Sequence, residues 1–173
     1  MDTFLKTSVA VTGFYLYFLT PAFADMLISF DEGAPKDRFT FTNSGNCTIE
    51  AATVKLDLSS SKAGLIFDVT ENGEGVEVFQ PLEITSRENA LLIIPKANDG
   101  DNQINLDINQ LKAGQNISFT IDVDDTTGER EIIVSGAEIA GATVSFIQSG
   151  KSVSSIFGPN ARTTIKLKAC ELP

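Results

Sequence analysis

The tightest constraint on what this chain can fold into is its alternation. Residues 117–123 (ISFTIDV) place Ile117, Phe119, Ile121 and Val123 on one face and Ser118, Thr120 and Asp122 on the other. Residues 103–108 do the same with Ile104, Leu106 and Ile108, and residues 49–58 with Val54, Leu56 and Leu58. A period of two is the period of a pleated strand with one buried face. Further short runs of this kind fall at residues 36–42, 65–69, 76–79, 90–94, 131–134, 142–147 and 163–168. They recur at roughly 10-residue spacing, with Asn, Asp and Gly between them, and predict an all-β fold, a single Ig-like or Greek-key β-sandwich. No segment after residue 24 carries a helical stripe. Residues 108–113 read as one loose turn, with Gly114 supplying a tight connection to the next strand. Tryptophan is absent, so the likeness to antibody domains is one of architecture only.

The first residues follow a different rule. Lys6 precedes an apolar run, residues 9–19, broken only by Thr12 and Gly13. Thr20 and Pro21 end it, and Ala22-Phe23-Ala24 sets small residues where a signal peptidase reads. Residues 1–24 are therefore expected to be a cleaved signal peptide, and residues 25–173 the β-sandwich domain. The run is about a dozen residues, short of the roughly 20 that a spanning helix needs. The expected location is secreted or periplasmic, with no membrane insertion after cleavage. In an oxidising compartment Cys47 and Cys170, the only two cysteines, are expected to form one disulfide. Loop entropy sets an upper figure of roughly 4–5 kcal/mol on such a staple.

Composition narrows function mostly by exclusion. A net charge of −10 disfavours nucleic acid, which needs a basic footprint. There is no histidine, which excludes Ser-His-Asp and Cys-His catalysis and histidine-ligated zinc, copper and iron. Both tyrosines, Tyr15 and Tyr17, lie in the signal, so Phe is the only aromatic type in the domain. Ser59 and Lys62 have Ser-x-x-Lys spacing, but they follow a strand and lack the partner motifs of penicillin-recognising enzymes. Paired carboxylates without aromatic neighbours make a poor sugar-cleaving cleft. The expectation is a protein that is not an enzyme.

The sharpest chemical feature is acidic. Asp122 and Asp124 flank Val123 and project from one outward face of their strand, and Asp125 enters the turn that follows. A second acidic loop carries Asp99 and Asp101 around Gly100. Such carboxylates suit Ca²⁺, which takes six to eight oxygens, and Asp122, Asp124, Asp125, Asp99 and Asp101 are the expected ligands. The competing expectation is a solvated turn with Asx-type hydrogen bonds.

Three longer phrases carry a family resemblance. They are Phe41-Thr42-Asn43-Ser44-Gly45-Asn46-Cys47; residues 63–70 (AGLIFDVT), continued at residues 73–81; and residues 120–125 (TIDVDD), leading to residues 135–142 (SGAEIAGA). Together they resemble secreted bacterial proteins labelled aggregation-factor-core-like. The resemblance implies an exported β-domain for adhesion, dependent on calcium, with an unidentified protein or extracellular matrix as partner. The chain has no calcium repeats of its own, so it would be a stand-alone module. A small-ligand or glycan-binding exported domain is the alternative.

Overall fold

The computed structural model describes residues 23–70, 79–127 and 134–167. It is an all-β sandwich of two packed antiparallel sheets. The ten strands among the described residues are β1 (Ala24–Asp31), β2 (Asp37–Asn43), β3 (Ile49–Asp57), β4 (Ile66–Asp68), β5 (Glu83–Ser86), β6 (Gln103–Leu111), β7 (Asn116–Asp124), β8 (Thr143–Gln148), β9 (Lys151–Ile156) and β10 (Arg162–Leu167). One sheet runs β10-β1-β2-β7-β4, with β5 also paired to β7; the other runs β6-β3-β8-β9.

Alternation is cashed out in the core. Phe39 and Phe41 of β2 and Phe119 of β7 point inward, and all three are fully buried. Phe119 stacks on Phe39 at 5.3 Å and on Phe41 at 6.0 Å, while Phe30 of β1 tilts against Phe39 at 5.0 Å. Val54 and Leu56 of β3, Leu106 and Ile108 of β6 and Phe146 of β8 answer them from the opposing sheet. Each large side chain contributes roughly 2–3 kcal/mol on burial.

Several sequence expectations are revised. Residues 90–94 are not a strand. A single 3-10 turn, Glu88–Ala90, precedes Leu91, which alone bridges to Ile108. Leu92 N–H donates to the Asp107 carbonyl at 2.7 Å; beyond it Ile93 is 69% exposed and Ile94 is 50% exposed. Pro95 then removes a donor and ends the pairing. Residues 108–113 are not a loose turn, because β6 continues to Leu111 and the turn falls at residues 112–115. Gly114 sits there at φ +73°, with open space around it. The runs at residues 76–78 and 131–133 lie outside the described residues, as do residues 1–22 and Cys170.

Strand β1 begins at Ala24, one residue before the expected mature start at Asp25. Ala24 is fully buried and pairs with Leu167 of β10. Phe23 exchanges two hydrogen bonds with Asn46: its carbonyl accepts from the Asn46 N–H at 2.9 Å, and its N–H donates to Asn46 Oδ1 at 2.8 Å. Among the described residues no helix is long and apolar enough to cross a membrane.

Candidate functional site

Register positions the chemistry. β4 pairs with the end of β7 so that Ile66 faces Asp124, Phe67 faces Val123 and Asp68 faces Asp122. Phe67 and Val123 fill the core. Asp68, Asp122 and Asp124 therefore share the opposite, outer face of that sheet corner. The corner is not open to water. Gln80 lies over it, 8% exposed, and its Nε2 donates to Asp122 Oδ2 at 3.0 Å. Asp122 is only 9% exposed and Asp68 only 1%.

Burial here lacks the usual compensation. Buried polar atoms are nearly always hydrogen-bonded. Both carboxylate oxygens of Asp68, and the Oε1 of Gln80, are buried without a hydrogen-bond partner. The group that faces Asp68 is another carboxyl, that of Asp99, and Asp124 and Asp122 add further negative charge. Burial first, and these neighbours second, push the Asp68 carboxyl up to about 7. Burial and then Asp124 raise Asp122 to about 6, opposed by a hydrogen bond from the Val123 backbone and by the charge of Lys36. Lys36 is engaged elsewhere, with Glu83 Oε1 at 3.0 Å and the Pro81 carbonyl at 3.1 Å.

The five sequence-predicted ligands part company. Asp122 and Asp124 stand in the corner just described. Asp99 reaches it from the loop that lines the free edge of β4, where the Gly100 N–H donates to the Phe67 carbonyl at 2.9 Å and the Phe67 N–H donates to the Asp101 carbonyl at 2.8 Å. Asp99 Oδ1 also accepts the Val69 N–H at 3.1 Å. Asp101 turns its carboxylate away into its own loop, where Oδ2 accepts from the Asn98 N–H at 2.7 Å and from Asn98 Nδ2 at 3.0 Å. Asp125 accepts the Thr127 N–H at 3.1 Å, an Asx-type turn. Among the described residues no three acidic or cysteine side chains already converge at metal-ligand spacing.

Two participants escaped sequence reasoning. Asp68 sits within an apolar stretch, and Gln80 on a segment without a motif. Asp37 was also missed. It begins β2 on the inner face, 2% exposed, and its Oδ1 accepts the Gly33 N–H at 3.0 Å. Burial pushes its carboxyl up to about 7, with Asp122 and Asp124 adding to the effect and backbone donors at Gly33 and Val123 opposing it.

Elsewhere the surface holds a polar hollow of about 320 Å³, lined by Arg87, Asn89, Asn109, Gln110, Lys112 and Gln115. Ser59 and Lys62 sit in a turn, where Ser59 Oγ donates to Asp57 Oδ1. No protein-family model matches this chain, and no curated protein matches it.

Proposed function

We propose that this chain is an exported, non-enzymatic β-sandwich that binds a protein or matrix partner and is stabilised by Ca²⁺. The observation that carries the reading is the corner of buried acceptors between β4 and β7. Carboxylate and amide oxygens gathered at the end of a sandwich suit a cation that fixes loops rather than a reaction. The phrases resembling aggregation-factor-core-like proteins support an adhesive role, and the acidic surface favours a partner other than nucleic acid.

A Cys47–Cys170 disulfide belongs to the same proposal. The Asn46 N–H bonds to the Phe23 carbonyl, and Ala24 pairs with Leu167. β10 thus ends at Leu167, opposite Ala24 and near the turn that holds Cys47. A secreted or periplasmic location would allow the bond to form.

Beads coated with residues 25–173 test adhesion directly. Clustering, or retention on a matrix, in millimolar Ca²⁺ and its loss in chelator is the expected result. Beads that stay dispersed and unretained in both conditions would remove the adhesive reading.

The polar hollow around Arg87 and Lys112 favours a second reading, a small-ligand or glycan site. Amide and cationic donors of this kind suit an oxygen-rich, acidic ligand. A glycan array with no enriched sugar would dismiss it.

A further inference from the structure

We infer that the exported chain is cut between Ala22 and Phe23, two residues before the start expected from sequence, so that Phe23 and Ala24 remain as the opening residues of the sandwich. This processing site rests on the exported reading above and fixes which residues the working domain contains.

A signal peptidase reads small residues one and three positions before the bond it cuts. Ala22 and Ala24 meet that rule for a cut after Ala24. Thr20 and Ala22 also meet it, for a cut after Ala22. Local sequence therefore offers two bonds, and the fold distinguishes them.

The sandwich uses both disputed residues. Ala24 is fully buried and opens the ladder with β10, opposite Leu167. Phe23 carries the same line one residue further. Its N–H donates to Asn46 Oδ1 at 2.8 Å, and its carbonyl accepts from the Asn46 N–H at 2.9 Å. Chain ends stay loose unless a sheet or a docking contact ties them down, and here both do.

Gly45 is independent support from the other side of the contact. A Cβ there would come within 2.3 Å of the Phe23 carbonyl oxygen and 2.4 Å of the Ala24 Cα. Its φ lies outside the left-handed region, so backbone conformation is not what calls for glycine. The turn after β2 needs a residue without a side chain because residues 23 and 24 lie flat against it.

A cut after Ala24 would discard these contacts. Asn46 would lose both hydrogen bonds to Phe23, Leu167 would lose its cross-strand neighbour, and the core would lose a methyl group. A cut after Ala22 keeps them all. The new α-amino group then stands where the Phe23 N–H now donates, and as an ammonium it makes a stronger donor to Asn46 Oδ1.

The test has two arms. In the first, residues 1–173 are expressed in an exporting bacterial host, and the N-terminus of the exported protein is read by sequencing and intact mass. A predominant start at Phe23 is expected. Thr20→Tyr puts a bulky residue three positions before the inferred bond and leaves residues 23–173 untouched; it should slow processing or move the start to Asp25. In the second arm, purified 23–173 and 25–173 are melted side by side. The shorter chain should melt roughly 4–8 °C lower. Gly45→Ala should lower the Tm of 23–173 more than that of 25–173, because the two closest atoms it would strike are missing from the shorter chain.

A predominant start at Asp25 overturns the inference and leaves export standing. A chain that keeps Met1 removes the exported reading and this inference with it. Unchanged processing in Thr20→Tyr, or equal melting of the two chains, also overturns it.

Discussion

The buried carboxylates predict an unusual pH profile. Most domains lose stability in acid, because their carboxylates are better solvated or paired when ionised. Asp37 is the reverse. Its carboxyl titrates at 3.8 in an unperturbed chain and at about 7 when folded, chiefly because it is buried. Between those values the folded protein holds a proton that the unfolded chain has released. The favourable contribution is therefore complete below 3.8 and is lost as pH rises through about 7. From pH 5 to pH 8 Asp37 alone removes about 3 kcal/mol of stability. Asp68 and Asp122 are raised in the same direction, to about 7 and about 6. Asp122 interacts with both Asp37 and Asp68, so the full contributions do not add. For a domain of this size about 3 kcal/mol corresponds to roughly 6–12 °C. Melting curves at pH 5, 6, 7 and 8, all in chelator, should show Tm falling across the series. Asp57, held below its ordinary range chiefly by hydrogen bonds from Ser59 that outweigh its burial, acts with the opposite sign but below about pH 4, outside this window. Asp37→Asn should flatten the slope, whatever it does to the absolute Tm. A Tm that is level or rises between pH 5 and pH 8, with the fold intact, would refute the claim that these groups are buried at a cost.

Other consequences can be checked on the same preparation. Phe119→Ala removes the ring that stacks on both Phe39 and Phe41, and should cost roughly 3–5 kcal/mol in chemical denaturation. Gly141→Ala should destabilise by about 2 kcal/mol or more, because φ there is +96° and a Cβ would meet the Ser60 carbonyl oxygen at 2.5 Å. Intact mass should lie about two protons below the reduced value if Cys47 and Cys170 are joined, and reductant should then lower Tm.

How much of this was readable in advance depended on which faces were buried. β2, β3, β6, β7, β8 and β10 alternate plainly because one face of each meets the core. β9 (KSVSSI) has serines where an apolar stripe would stand and is mostly exposed, so it carries no such signal. β5 (EITS) is short and polar, and β1 starts inside the segment expected to be cleaved. Conversely, the apolar run at residues 90–94 looks like a buried strand, yet Leu92, Ile93 and Ile94 are exposed. Composition records hydrophobicity but not whether a neighbouring strand is there to cover it. The acidic corner divides the same way. Asp122 and Asp124 are visible from the two-residue period of β7. Asp68 joins them only through pairing between β4 and β7, some 54 residues apart in the chain. Gln80 arrives through tertiary packing, and no local pattern announces that. Asp101 and Asp125 illustrate the reverse limit, since acidic spacing cannot distinguish a ligand from a residue that shapes its own turn.

The placement of β1 between β2 and β10 has a consequence for how the molecule comes into being. β2 follows β1 at once, but β10 lies more than 130 residues further along the chain, with Ser29 meeting Arg162 and Ala24 meeting Leu167. One side of β1 therefore keeps its backbone donors and acceptors unpaired until β10 has been made. Closing a contact across so much chain is slow compared with local hairpin formation. Until β10 docks, that side of β1 is an open sheet edge, the kind of template that invites pairing with another chain.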